Sequence, residues 1–246
     1  MSWKAFFLLV IIILCGIFIY LKVQILGDPQ SKFNQTTRYD LGRYQFARSL
    51  LGMHSYGDAR EWYLKPGSPI VIEAVTATGA GMDDKAFNNF VQDVKEYTGR
   101  EVSVFNTEKI PGGVLSDADL GEIASKYRRH VLSGQANLFV IYAQDFKRSG
   151  TEIGKTFQEY GIVLSDKRLR EVTADFPQAM AQYVESTLLH EFGHQIGLDH
   201  NSEPDCIMNE RVEKPEKLNF FSSEYTNTKF CNFELGQLSK IKATIK

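Results

Sequence analysis

The chain has 246 residues, 43% apolar and 24% charged, which fits one globular domain of about 200 residues with a full core. Its formal net charge is −2, and no basic stripe, internal repeat or low-complexity tract is visible. That excludes binding to nucleic acid driven by charge, and it excludes a repeat array.

The first predicted element is a membrane-length helix. Ala5 to Leu21 is an unbroken apolar run, with Lys4 before it and Lys22 after it. Val23, Ile25 and Leu26 extend it to about 20 residues, enough to cross a bilayer. No A-x-A cleavage pattern follows, and Leu14 before Cys15 does not suit a lipoprotein site. An uncleaved signal anchor over residues 1–26 is the leading reading; a cleaved signal peptide and a buried core helix are its competitors.

Residues 27–68 read as a linker and N-terminal segment. The polar stretch 27–37, with Asp28-Pro29, reads as the linker itself. Residues 38–65 mix aromatics with charges and read as a helix over 43–53 packed on the domain or as a short prosegment. His54, in this part, reads as an ordinary surface or core histidine.

The main domain is expected over 69–246. Pro69-Ile-Val-Ile-Glu-Ala-Val starts a strand. Asp83 or Asp84 caps a helix with apolar positions at Phe87, Phe90, Val91, Val94 and Tyr97, ended by Gly99. A second strand covers 101–105. Ser116 and Asp119 form a capping box for a helix reaching about Val131, with His130 near its C-terminus, where the helix dipole favours a cation. A third strand over 137–142 is apolar enough to be central. A further strand falls around 160–164, and Pro177 opens the next helix. Phe233, Leu235, Leu238 and Ile241 suggest a final helix. This βαβα order implies an α/β fold with a twisted, mostly parallel sheet and right-handed crossovers.

The most specific stretch is His190 to His200, His-Glu-Phe-Gly-His-Gln-Ile-Gly-Leu-Asp-His. It satisfies H-E-x-x-H-x-x-G-x-x-H at all five fixed positions, and a chance match in this length is on the order of one in a hundred thousand. On a helix, His190 and His194 are four apart and share a face. Gly197 accepts the left-handed conformation that ends a helix, so the chain can turn and bring back His200. Three imidazoles with one open position suit a catalytic zinc. Glu191 beside the first ligand suits a general base acting on a zinc-activated water.

These residues resemble the zinc site of the metzincin clan of metallopeptidases. The resemblance implies a methionine turn beneath the metal, and Met208 in Asp-Cys-Ile-Met-Asn stands at a suitable distance. It implies an antiparallel strand at the sheet edge before the active-site helix, within 153–164, that holds an extended peptide; an ordinary edge strand or hairpin is the alternative there. Cys206, two residues before the methionine, is similar to the adamalysin and archaemetzincin branches. A second zinc, as in archaemetzincins, is not expected, because Asn201 follows His200 and Cys231 has no C-x-x-C partner. Residues 211–230 read as a variable loop near the specificity pocket, with Tyr225 a weak candidate for a transition-state donor.

The implied protein is a membrane-anchored zinc endopeptidase with one Zn2+ per chain, a peptide or protein substrate and no nucleic acid. The rivals are a catalytically inactive zinc-containing adhesion or scaffold module, and a zinc amidase acting on a non-protein amide. Lys4 and the amino terminus favour a cytoplasmic N-terminus; Lys22, Lys32, Arg38, Arg43 and Arg48 pull the other way. By analogy with singly anchored hydrolases, the catalytic domain is placed extracytoplasmic. Cys206 and Cys231 are then candidates for one disulfide, with two unpaired thiols as the alternative.

Overall fold

A computed structural model describes residues 3–25, 32–42, 44–55, 57–130, 135–147, 150–209 and 227–245. The chain divides into two compact units, Met1–Tyr56 and Gly57–Lys246. The sequence boundary at 68/69 thus differs from the structural one. Tyr63 explains the difference: it is fully buried in the second unit's core, and its hydroxyl donates to the carbonyls of Asn137 (3.0 Å) and Glu159 (3.3 Å).

The first unit holds helices α1 (Trp3–Ile25), α2 (Lys32–Leu41) and α3 (Gln45–Leu51). α1 is long and apolar enough to cross a membrane, a test that a signal sequence passes as well. α2 corrects the linker expectation for 32–37. This stretch carries Asn, Gln and Thr and no apolar stripe, so its helix leaves no periodic signal.

In the second unit, α4 (Arg60–Leu64) precedes β1 (Ile70–Ala77), α5 (Asp84–Thr98) and β2 (Val102–Ile110). Next come β3 (Val114–Leu115), α6 (Asp117–Tyr127), β4 (Asn137–Ala143), β5 (Asp145–Phe146), β6 (Gly154–Phe157), β7 (Gly161–Ser165) and α7 (Asp166–Val172). A 3-10 turn at Pro177–Ala179 leads into α8 (Met180–Gln195), and α9 (Asn232–Thr244) closes the chain. The main sheet has the order β2-β1-β4-β7-β6. Every pairing is parallel except β6 with β7, which places the antiparallel strand at the sheet edge. β3 and β5 form a separate two-stranded pair.

The central strands are buried on both faces, which is why they read as continuous apolar runs. Alternation sorts their side chains between two cores. Ile70, Ile72, Leu138, Val140, Tyr142, Ile162 and Leu164 pack with α5 and α8 through Phe87, Phe90, Val94, Leu188 and Phe192. Val75, Phe139, Ile141 and Val163 pack on the other face with Leu120 and Ala124 of α6. The caps are the expected ones. Asp83 accepts from the Ala86 amide (2.9 Å), and Ser116 and Asp119 form a reciprocal box.

His130 differs from its expected role. α6 ends at Tyr127, so the histidine lies beyond the helix. Its ring stacks on Phe105 with centroids 3.8 Å apart, and Nδ1 lies 2.8 Å from Glu73 Oε1. Glu73 is a fully buried carboxylate on β1. Burial pushes its carboxyl up, but hydrogen bonds from His130, the Arg129 amide and Asn137 outweigh this and hold it below the ordinary value.

Candidate active site

α8 runs under the edge strand β6 and carries His190, Glu191 and His194. The helix ends at Gln195, and Gly197 adopts φ +88°, so the chain reverses and returns His200 to the helix face. His200 Nε2 lies 3.2 Å from His190 Nε2 and 3.1 Å from His194 Nε2. A tetrahedral zinc with Zn–N of about 2.0–2.1 Å needs nitrogens about 3.3 Å apart. The observed separations fit that ion.

The hydrogen bonds fix which ring nitrogens point inward. His190 Nδ1 donates to the Ile207 carbonyl (2.7 Å), and His194 Nδ1 donates to the Leu198 carbonyl (3.1 Å). Each Nε2 is therefore left with a lone pair facing the others. His200 has one proton at most to place between two such atoms, so this donor set calls for a cation. Burial lowers the His190 imidazole to about 4. Burial and the two neighbouring rings hold His194 well below its ordinary value. Both rings are thus neutral at neutral pH, the form that binds a metal.

Glu191 is buried, and its Oε2 accepts a hydrogen bond from the Thr156 hydroxyl (2.8 Å), which also reaches the Glu191 carbonyl (3.1 Å). Thr156 lies on β6, so the edge strand and the acid are tied together. Nothing in the sequence pattern marks Thr156, because it lies 35 residues from Glu191. Thr156→Val removes the hydroxyl and keeps the shape. It is expected to lower kcat about tenfold, a modest value for a hydrogen bond to a charged group. Zinc content and KM should hold, and Thr156→Ser should restore most of the rate. An unchanged kcat in the valine variant contradicts this positioning role.

Met208 is fully buried beneath the helix. A Cβ on Gly193 would lie 2.3 Å from the Met208 sulfur, so glycine lets the Met208 side chain pack this close to the helix. The turn is held by Glu234 of α9, which is also fully buried. Its carboxylate accepts from the amides of Ile207 (3.3 Å), Met208 (2.5 Å) and Cys231 (2.9 Å) and from the Asn201 side chain (3.2 Å). Glu234 was missed in the sequence, although Cys231 and Glu234 stand at capping-box spacing. A Cys206–Cys231 disulfide joins the same two segments, with Cα atoms 5.1 Å apart. Thiol titration of the denatured, unreduced chain should find one free thiol, Cys15. Three would show that the two segments are not bonded.

Arg60 is another residue that the sequence does not flag. Its guanidinium pairs with Asp58 (2.5 Å) and donates to the Gly197 carbonyl (3.4 Å), bracing the turn before His200 from 137 residues away. A cleft of about 780 Å³ opens beside His200, lined by Asn201, Glu203, Asn209 and Phe233 among others. Tyr225 and most of the variable loop lie outside the described residues, and His54 belongs to the first unit.

The profile of the matrixin peptidase family matches residues 42–225. The chain belongs to the matrixin family. It is a zinc metallopeptidase of the metzincin clan, with a histidine group able to hold the metal. Solved structures similar to this matrixin include the archaemetzincin of Methanopyrus kandleri, 22% identical over 72% of this chain and 98% of that one, with a TM-score of 0.49. The Archaeoglobus fulgidus archaemetzincin, complexed with malonate, is 14% identical over 68% of this chain and 99% of that one, with a TM-score of 0.41. A zinc-dependent peptidase of Methanocorpusculum labreanum is 14% identical over 68% and 99% of the two chains, with a TM-score of 0.43. No curated protein matches the chain.

Proposed function

We propose that this matrixin is a membrane-anchored endopeptidase that holds one zinc per chain through His190, His194 and His200. The observation that carries the reading is the convergence of three Nε2 atoms beside a buried carboxylate. When bound, zinc supplies a Lewis acid that polarises the scissile carbonyl and makes water a better nucleophile at neutral pH. Glu191 accepts the proton of the attacking water and passes it to the departing amine. Thr156 holds the Glu191 carboxylate in place while it does so. The Ile207 and Leu198 carbonyls keep His190 and His194 in the tautomer that offers Nε2. Met208 packs beneath the ligands and binds nothing.

β6 supports a peptide over another amide. It lies antiparallel at the sheet edge beside α8, where an extended chain can add as a further strand. Residues 1–26 serve as the anchor, and the catalytic domain faces an oxidising, extracytoplasmic compartment, as the Cys206–Cys231 disulfide favours. Incubating the full chain with unstructured proteins and with cell-wall amides tests the substrate class. Internal cleavage of the proteins is expected. Release of cell-wall fragments with the proteins left intact would overturn the peptidase assignment in favour of the amidase.

A further inference from the structure

In the first unit, Ile25, Leu51 and Met53 form a small buried cluster, with Phe18, Leu21, Phe33 and Ala47 packed against it. α3 therefore rests on the last two turns of α1. Those turns carry Lys22, the first charge after Lys4, and its ammonium lies 5.5 Å over the Phe18 ring. A helix the length of α1 spans about 35 Å, against about 30 Å of bilayer hydrocarbon. Its charged end falls where acyl chains give way to headgroups, and α3 is held at that depth.

One flank of α3, next to the side that meets the cluster, is apolar. Phe46 is 77% exposed and Leu50, one turn on, is 46% exposed. Tyr44 and Leu41, just before the helix, are exposed as well. These four large apolar side chains fall within ten residues, while the described part of the whole second unit exposes five: Val104, Phe105, Val114, Phe233 and Leu235. Between positions 22 and 48 the sequence carries five cations, Lys22, Lys32, Arg38, Arg43 and Arg48, against Asp28 and Asp40; Arg38 is buried, and Lys22 and Arg48 are partly exposed. Aromatic and aliphatic groups interleaved with cations at the end of a membrane-length helix match an anionic bilayer surface.

We propose that α2 and α3 form an interfacial foot that lies on an anionic phospholipid bilayer, with Phe46 and Leu50 among the upper acyl chains and the partly exposed Lys22 and Arg48 at the level of the lipid phosphates. This rests on α1 spanning the bilayer.

The test uses the full chain in phosphatidylcholine vesicles containing one-third phosphatidylglycerol. Cys15→Ser leaves no free thiol among the described cysteines, and Phe46→Cys, Leu50→Cys or Ile12→Cys then takes a nitroxide label. Collision of each label with oxygen, which concentrates in hydrocarbon, is compared with collision with a water-soluble nickel chelate. Labels at 46 and 50 should favour oxygen, less strongly than the label at 12 in the middle of α1. Omitting phosphatidylglycerol should weaken that preference, and an unchanged preference overturns the role given to the cations. Nickel favoured at 46 and 50 but not at 12 overturns the foot while the anchor stands. Shielding of 46 and 50 from both reagents means that protein, such as a second copy, covers the face, and overturns the proposal too. Nickel favoured at all three sites shows that the anchor reading itself has failed.

Discussion

Glu191→Gln is expected to keep its zinc and to lose about 10²–10⁴-fold in kcat, the usual worth of a general base. Glutamine has the size and shape of glutamate, and its amide oxygen can still accept from the Thr156 hydroxyl that now binds Glu191 Oε2 at 2.8 Å. Packing around this buried position is therefore preserved. What is lost is the ability to take a proton. The three imidazoles converge without the glutamate, so metal content should match the parent protein. Metal analysis alongside cleavage of an unstructured protein substrate checks both halves. A glutamine variant that cleaves as fast as the parent would refute the assigned mechanism.

His194→Ala should do the opposite, losing metal and activity together. It removes one of the two nitrogens within 3.2 Å of His200 Nε2 and leaves only two ligands for an ion that needs three from the protein. The loss of zinc affinity should exceed the roughly 10–100-fold that residues supporting a ligand usually contribute. Equilibrium dialysis against a zinc buffer measures it. Retention of zinc at the parent's affinity contradicts the ligand assignment. The two variants together separate proton transfer from metal binding, which activity alone cannot do.

Much of the fold was legible because the relevant signals are local. The apolar runs at 70–77 and 137–143 could only be strands buried on both faces, and Asp83 and Gly99 bracket α5 by their own chemistry. Elements without such signals were missed. α2 is mostly polar, with Phe33, Tyr39 and Leu41 too few to show a stripe, and α7 follows β7 directly with only seven residues. The sequence carries α6 to about Val131, past its real end, and so sets His130 on the helix. The helix stops at Tyr127, and the chain then folds toward the buried Glu73, a partner 57 positions back that no helical periodicity reveals.

The site divides the same way. His190, Glu191, His194, Gly197 and His200 stand within eleven consecutive positions, so one helix and one turn explain their spacing. The residues that hold them come from elsewhere in the chain. Thr156 reaches Glu191 only because β6 lies beside α8, and Arg60 reaches Gly197 only once α4 is packed in place. Glu234 grips three backbone amides whose positions depend on the finished fold. The motif gathers residues whose spacing is local, whereas Thr156, Arg60 and Glu234 meet it only through tertiary contacts.

The central claim is that this chain cleaves proteins with a zinc held by its three histidines. The most direct measurement follows zinc per chain and cleavage of an unstructured protein on one purified sample, through removal of the metal by a chelator and return of zinc. About one zinc per chain is expected at the start, with cleavage that stops as the metal leaves and recovers when zinc is restored. Cleavage that continues after the zinc is gone, or a zinc-loaded chain that cuts no protein across a broad panel, would contradict it.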